Sequence, residues 1–128
     1  MLSYFTNSID KSIARGWDPL RTDDMGVLWE HVVLEYLQAR FPDATVRYWR
    51  DKTGHEVDFV IGRGRDEVDA IECTWSSDAF DSIPLRTFRT CYPKGRNYLV
   101  TPSAEIGYTK MFSGLEVRIC PPSGVEVG

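Results

Sequence analysis

The stretch VRYWRDKTGHEVDFVI, residues 46–61, contains two strand-like runs joined by a short turn. Both runs are rich in β-branched and aromatic side chains, which favour extended backbone. Between them, KTGH includes Gly54, a residue able to take the positive φ of a tight turn. In the second run, Val57, Phe59 and Ile61 are spaced two apart, so we expect these side chains on one face of the strand. The stretch therefore predicts two neighbouring strands with one apolar face.

A third strand-like run, VDAIECTW at residues 68–75, follows the glycine-containing turn GRGRDE. Because side chains alternate along a strand, Glu72 is expected to share a face with Ala70 and Thr74, whereas Ile71 points the other way. A carboxylate at the centre of such a run is unusual, since burying an unpaired carboxylate is energetically costly. Glu72 therefore marks this strand as a candidate functional element.

Two amphipathic helices flank these strands in the sequence. Apolar residues recur at helical spacing over residues 25–41, and a second helix is expected between Ser82 and Tyr92. Two more strands are expected at residues 96–102 and 115–120, where apolar and β-branched residues return. The order helix, three strands, helix, strand and a final strand predicts a mixed α/β fold on a short sheet.

Composition fits one globular domain, because 128 residues of which 42% are hydrophobic can bury a single core. The N-terminus lacks the pattern of a signal peptide, and no apolar segment approaches the roughly 20 residues that cross a bilayer. The three cysteines are widely spaced and fit neither a zinc pattern nor a disulfide framework. We therefore expect a cytoplasmic protein without membrane contact, in which these residues stay reduced: Cys73, Cys91 and Cys120.

The net charge and the grouping of basic residues point in opposite directions about nucleic-acid binding. The formal net charge of −4 argues against a domain that binds nucleic acid by bulk charge alone. Basic residues are nevertheless grouped at residues 47–52, 63–65 and 86–96. The first two groups supply the candidate phosphate contacts Arg47, Arg50, Arg63 and Arg65. The alternative, which the composition favours, is that all three groups are ordinary solvated surface residues.

Three acidic residues occupy positions where a sequence built only for a core would be apolar. Glu30 flanks the apolar stripe of the first helix, Asp58 lies within the second strand and Glu72 within the third. Neighbouring strands lie about 5 Å apart, so Asp58 and Glu72 can approach each other. Two carboxylates there would suit a hard cation such as Mg²⁺ beside a phosphate. The alternative is that both acids pair with nearby arginines and stabilise the sheet edge.

Other motifs are predicted to be structural. His31 and Glu35 are four residues apart on the first helix, a spacing that can hold a metal, but an ion pair on a solvated helix face is favoured. Tyr48, Trp49 and Trp75 are of the type that stacks on bases, but core and sheet packing is favoured for them.

The blocks GVLWEHVVLEYL, RYWRDKTGHEVDFVI and AIECTW, in this order, resemble the domain of unknown function found C-terminal to bacterial and archaeal AAA-type ATPase modules. That family belongs to the PD-(D/E)xK nuclease superfamily, so the resemblance implies a restriction-endonuclease-like α-β-β-β-α-β core with an extra C-terminal strand. We divide the chain into an N-terminal arm or linker at residues 1–24, irregular or with a short helix, and a nuclease-like domain at 25–128. No Walker A glycine loop occurs in the sequence.

The resemblance also implies roles for individual residues. Asp58 matches the motif aspartate, Glu72 the acid of the E-x-K element, and Glu30 the helix glutamate that completes the metal site. Mg²⁺ or Mn²⁺ is the implied cofactor. The lysine of E-x-K falls at Thr74, whose hydroxyl brings no positive charge to offset charge developing on a phosphate. Lys52, at the end of the first strand, is an alternative source of that charge.

Two functions are consistent with the sequence. The first is a metal-dependent nuclease-like domain that acts on DNA phosphodiesters and is impaired by Thr74. The second is a catalytically inactive nuclease-fold module that binds nucleic acid or protein and is attached to an AAA-type ATPase. Retention of Asp58 and Glu72 favours the first function, whereas Thr74 and the acidic net charge favour the second. Formation of a homo-oligomer is left open.

Overall fold

The computed structural model describes residues 3–7 and 22–126 of the chain. The predicted helices and strands occur in the predicted order, with two further strands that were not predicted, and the mixed α/β character is confirmed. The helices and strands in chain order are β1 Ser3–Asn7, α1 Thr22–Arg40, β2 Val46–Asp51, β3 Glu56–Gly62, β4 Val68–Cys73, α2 Ile83–Cys91, β5 Asn97–Val100, β6 Tyr108–Phe112 and β7 Leu115–Cys120.

The described strands form one sheet of seven strands in the order β1-β2-β3-β4-β5-β7-β6. Strands β1 to β4 are successively antiparallel to one another, whereas β5 is parallel to β4 and β7 is parallel to β5. A parallel pair needs a crossover connection, and α2 provides it between β4 and β5. The carboxyl ends of β2, β4, β5 and β7 consequently lie at one end of the sheet, which we call the carboxyl edge.

The two helices cover opposite faces of the sheet, which we call the α1 face and the α2 face. Each helix buries an apolar stripe against the sheet, which is the main source of its stability. On the α1 face the core includes Val33, Leu37, Phe59, Ile61, Ile71, Tyr98 and Val100. On the α2 face the core includes Trp49, Val57, Val60, Ala70, Leu85, Phe88 and Leu99.

A β-bulge interrupts β3 at Asp58 and Phe59. One residue of β2, Tyr48, lies opposite these two residues of β3, which is the defining geometry of a bulge. The flanking register pairs are Trp49 with Val57 and Arg47 with Val60.

The bulge changes which side chains share a face. Val57 and Val60 pack on the α2 face, whereas Phe59 and Ile61 pack on the α1 face. The prediction that Val57, Phe59 and Ile61 lie on one face is therefore wrong. The alternation rule assumes uninterrupted pairing, and one inserted residue reverses the orientation of everything before it.

Two strands were not predicted from the sequence, and both lie at the edges of the described sheet. Strand β1, Ser3–Asn7, falls in the stretch expected to be irregular or helical and pairs antiparallel with β2. The remainder of that predicted arm, residues 8–21, lies outside the described residues. Strand β6, Tyr108–Phe112, pairs with β7 and is almost entirely exposed. An edge strand without a buried face has no alternating pattern, so only its partner determines it.

Arg89 is buried rather than solvated, which corrects the prediction for the third basic group. It is 8% exposed, and its guanidinium donates to Asn97 Oδ1 at 2.8 Å and to backbone carbonyls. Those carbonyls belong to Val68, Tyr92, Lys94 and Arg96, at 2.8–3.1 Å. A buried guanidinium is tolerated when its donors are satisfied in this way, so Arg89 fixes the α2–β5 connection onto β4.

The helices and the cysteines of the structure bear on the membrane and disulfide predictions. Neither helix in the described part of the chain is long and apolar enough to cross a membrane. The three cysteines carry free thiols, as the sequence predicted. Burial raises the pKa of the Cys120 thiol to about 11, although the charge of Arg118 opposes this shift, so Cys120 is an unreactive core residue.

Candidate functional site

Asp58 and Glu72 are linked through the backbones of β3 and β4. Glu72 Oε1 accepts a hydrogen bond from the backbone N–H of Asp58 at 2.9 Å. Asp58 Oδ2 accepts one from the backbone N–H of Cys73 at 2.8 Å. The regular pairing of β3 with β4 ends at Phe59 and Ile71, immediately before these residues. Each carboxylate therefore binds a backbone donor of the opposite strand at the point where the strand ladder stops.

This arrangement explains how the fold tolerates two acids in adjacent strands. Glu72 is 9% exposed and Asp58 is half-buried. A buried backbone N–H that loses its acceptor costs about 1–3 kcal/mol, so each carboxylate stabilises the splayed end of the strand pair. The bulge in the pairing of β3 with β2 lies at this same point of β3, at Asp58 and Phe59. The acids thus have a structural role that pairing with arginines alone would not explain.

Thr74 lies directly after β4, and its side chain is bonded within the loop that follows. Its hydroxyl donates to the Ser76 carbonyl oxygen at 2.7 Å. Its backbone N–H donates to the Val100 carbonyl oxygen at 3.1 Å, which extends the pairing of β4 with β5 by one residue. The position two residues after Glu72 therefore presents a neutral hydroxyl engaged with its own loop.

Glu30 and Lys52 are placed differently from the central pair. Within the described ranges, no three His, Cys, Asp or Glu side chains are grouped so as to hold a metal ion. Glu30, half-buried on α1, consequently does not join Asp58 and Glu72 in a ready three-ligand centre. Lys52 is exposed in the β2–β3 turn. Mg²⁺ is commonly held by one or two carboxylates with waters and substrate phosphate completing its shell, so Asp58 and Glu72 fit this smaller donor set.

The four arginines predicted to contact phosphates do not form one surface. Arg47 and Arg50 are exposed but three residues apart on β2, which directs them to opposite faces. Arg63 has a side chain only 14% exposed, and its Nε lies 3.6 Å from Asp69 Oδ2. Arg65 is exposed in the β3–β4 turn. Arg47, Arg50 and Arg65 are accessible, whereas Arg63 forms an ion pair with Asp69 inside the fold.

The structure largely agrees with the structural roles predicted for the His31–Glu35 pair and for the tryptophans. His31 Nε2 lies 3.3 Å from Glu35 Oε1, so the predicted pairing of these side chains on α1 is present, and it is an ion pair when the imidazole is protonated. Trp49 is fully buried in the core of the α2 face. Trp75 is different, because it is 47% exposed and packs edge-on against Trp29 with 6.1 Å between ring centroids.

The β2–β3 turn contains a polar cluster that the sequence analysis missed. The side chain of Asp51 is only 1% exposed. Its Oδ1 accepts hydrogen bonds from the Thr53 backbone at 3.0 Å, the Thr53 hydroxyl at 2.9 Å and the His55 backbone at 2.9 Å. Its Oδ2 lies 2.9 Å from His55 Nδ1. Asp followed by Thr two residues later is a known turn signature, so the turn was readable from the sequence, but the burial of Asp51 was not.

The environment of Asp51 predicts how the stability of the fold changes at acid pH. Burial opposes its ionisation, but hydrogen bonds from His55 and Thr53 outweigh that effect and lower the pKa of Asp51 from 3.8 to about 2. A depressed pKa means that ionised Asp51 stabilises the fold above the unfolded value, and that this contribution is lost as pH falls from 3.8 through about 2.

We therefore expect Asp51→Asn to lose less stability on acidification than the unchanged chain, since the substituted side chain has no proton to take up. Urea unfolding between about pH 6 and about pH 2 measures this difference. An unchanged acid dependence in the variant would contradict the assignment.

The comparisons with known proteins agree with this geometry at the level of family and fold. Residues 25–116 match the model of a family described as a domain of unknown function, DUF4143. No curated protein sequence matches the chain.

Among solved structures, the fold is similar to a chain in the refined half-complex from the tetradecameric assembly of Thermococcus gammatolerans McrB AAA+ hexamers with bound McrC. The TM-score is 0.53 at 14% sequence identity, over 80% of this chain and 30% of that chain. At this identity the likeness concerns the fold alone, and this chain corresponds to less than a third of its neighbour. Because the family model spans most of the chain, including both acids and the β2–β3 turn, the chain belongs to the DUF4143 family.

Proposed function

We propose that this domain is a metal-dependent phosphodiesterase of the PD-(D/E)xK type, acting on DNA at a rate that Thr74 keeps low. The observation that carries the proposal is the meeting of Asp58 and Glu72 where β3 and β4 separate at the carboxyl edge. The element order α1, three antiparallel strands, α2 and a parallel β5 supports it, because this is the order that a restriction-endonuclease-like core requires.

Asp58 and Glu72 are the groups that would hold Mg²⁺ or Mn²⁺ in such a site. The backbone N–H groups of Asp58 and Cys73 fix the two carboxylates, as hydrogen bonds from a second layer commonly do for metal ligands. When bound, the cation would activate a water and offset negative charge on the phosphate. Thr74 adds no charge to this site, which is why we expect the rate to be low.

A titration with Mn²⁺ followed by amide NMR tests the metal site without assuming a substrate. We expect saturable paramagnetic broadening centred on residues 58 and 72, and its loss in Asp58→Asn. Asparagine keeps an oxygen that can accept the Cys73 N–H bond but removes the charge, so the strands should stay in place. Uniform or absent broadening at millimolar Mn²⁺ would count against the proposal.

Glu116→Gln provides the matched control for that titration. Glu116 is exposed on β7, near the end of the sheet opposite the carboxyl edge. Its loss removes one negative charge from the protein without touching the candidate site. Broadening at residues 58 and 72 should therefore be unchanged in this variant, which separates specific binding from attraction to net charge.

A second candidate function, an inactive nuclease-fold module attached to an AAA-type ATPase, has its own support. The hydrogen bonds of Asp58 and Glu72 to opposite strands give both acids a reason to be present without catalysis. The solved structure with a similar fold comes from an assembly of AAA+ hexamers, which favours such an attachment and an oligomeric setting. The two candidates differ in whether a lysine at position 74 produces cleavage.

A further inference from the structure

We propose that His55, held by Asp51, is the group that receives the proton of the attacking water at the Asp58–Glu72 site. This inference rests on the proposed function and names the residue that takes over the part a lysine would play at position 74. Three observations carry it, namely the orientation of the imidazole, its place on the sheet, and the presence of a buried carboxylate behind it.

The contacts of His55 determine which ring nitrogen is available. Thr53 Oγ1 donates to Asp51 Oδ1, so it has no second proton for the His55 Nδ1 atom that lies 2.8 Å away. Asp51 is an ionised acceptor, and Nδ1 must therefore carry the proton that lies between them. In the neutral ring this leaves the lone pair on Nε2, which has no hydrogen-bond partner among the described residues. The side chain is 34% exposed, so Nε2 is accessible.

The hydrogen bond between His55 Nδ1 and Asp51 Oδ2 is not needed to close the β2–β3 turn. Asp51 Oδ1 already accepts three bonds that close the turn, two from Thr53 and one from the His55 backbone. The additional contact of Oδ2 with Nδ1 orients the ring instead. A buried carboxylate behind an imidazole holds its tautomer and stabilises the imidazolium that forms when Nε2 accepts a proton.

Strand alternation and strand direction place His55 on the same face and edge of the sheet as the candidate site. Beyond the bulge, Val57 lies on the α2 face, as Ala70 does, and strand alternation puts Glu72 on that same face. His55 lies two residues before Val57, and Thr74 lies two residues after Glu72. Because β3 and β4 are antiparallel, His55 just before β3 and Thr74 just after β4 lie on one face at the carboxyl edge, beyond the last paired residues Phe59 and Ile71. The imidazole is thus on the same face and at the same edge of the sheet as the position of the missing lysine.

The proposed step conserves protons and electrons. The lone pair of the water oxygen forms the new P–O bond while His55 Nε2 accepts a proton from that water. The P–O3′ bond breaks, its electron pair stays on O3′, and O3′ takes a proton from solvent. The imidazolium of His55 then returns its proton to solvent. Asp51 stays ionised throughout, as the pKa of about 2 for its carboxyl permits.

The chain contains only two histidines, so His31 is a natural control. Like His55, it lies close to a carboxylate, with 3.3 Å between His31 Nε2 and Glu35 Oε1, but it is on α1. The experiment measures Mn²⁺-dependent cleavage of labelled single-stranded and duplex DNA by the unchanged chain and its variants. We expect His55→Gln to lower the rate by about 10²-fold and His31→Gln to leave it unchanged.

A second substitution separates a chemical role from a structural one. Adding Thr74→Lys to His55→Gln should restore cleavage, because a lysine there can orient and polarise the water. Adding Thr74→Lys to Asp58→Asn should not restore it. Urea unfolding of His55→Gln, compared with Thr53→Val, shows whether a weakened turn alone explains any loss.

The outcomes distinguish this inference from the proposed function. If Asp58→Asn abolishes cleavage while His55→Gln cleaves as fast as His31→Gln, the inference is overturned and the proposed function stands. If the unchanged chain does not cleave, imidazole ¹H–¹⁵N spectra are recorded with Mg²⁺ and a phosphorothioate oligonucleotide. A shift of His55 Nε2 without one at His31 supports contact with the phosphate although the proposed cleavage fails, and equal or absent shifts overturn the inference.

Discussion

Thr74→Lys is expected to raise Mg²⁺-dependent cleavage of DNA by about 10²-fold or more, the size of effect that one charged or hydrogen-bonding group has on a developing oxyanion. The substitution places a positive charge on the α2 face, two residues after Glu72. The lost hydrogen bond from Thr74 to the Ser76 carbonyl costs only about 1 kcal/mol, so the fold should persist. The rate of strand cleavage with labelled linear, branched and single-stranded DNA measures the gain.

Thr74→Met is the matched control, since methionine also removes the hydroxyl and extends the side chain but brings no charge. The double variant Asp58→Asn with Thr74→Lys should stay inactive, because it lacks one carboxylate of the metal site. If Thr74→Lys cleaves none of these DNA forms faster than Thr74→Met does, the nuclease proposal loses its main support. The function of a binding module attached to an ATPase would then be the better account of the site.

Arg89→Met is expected to destabilise the fold by about 3–5 kcal/mol, the usual cost of removing one charge from a buried ionic network. Burial lowers the pKa of Arg89 to about 10, and the charge of Asp69 opposes that shift. Asp69 is itself 1% exposed, so its pKa, already raised by burial, would rise further without Arg89. The substitution also removes the donors to Asn97 and to the carbonyls of the α2–β5 connection.

Urea unfolding measures this effect, and Arg86→Met provides its control. Arg86 is on the same helix, three residues earlier, but it is exposed, so its substitution should change the free energy of unfolding by no more than about 0.5 kcal/mol. Similar losses in the two variants would mean that Arg89 acts through general helix or charge effects. A loss in Arg89→Met alone would show that the guanidinium fixes the connection onto β4.

Helices and most strands were predictable because each has a local pattern. Strand β7 was predicted at residues 115–120, where apolar residues alternate with polar ones, and the structure has Leu115–Cys120. Helix α2 was predicted from its apolar stripe and is bounded by Ser82 and Tyr92. Strands β1 and β6 were missed, because an edge strand takes its conformation from pairing with its neighbour, and the exposed β6 has no alternating pattern of its own.

The position of Arg89 could not be predicted for a different reason. Its five acceptors come from β4, the α2–β5 turn and β5. An arginine three residues after another on a short helix has the pattern of a solvated face. Only the crossover to a parallel strand brings those carbonyls together, so burial of the guanidinium is a tertiary property.

The sequence by itself determined that Asp58 and Glu72 are costly acids within strands, and that Thr74 stands two residues after one of them. It did so because residue identity and strand periodicity are local properties. The tertiary structure decided the rest. The bulge at Asp58 and the end of the β3–β4 ladder both depend on how separate strands pair. The bonds of each carboxylate to the opposite strand, and the orientation of His55 by a buried Asp51, exist only once those strands are adjacent.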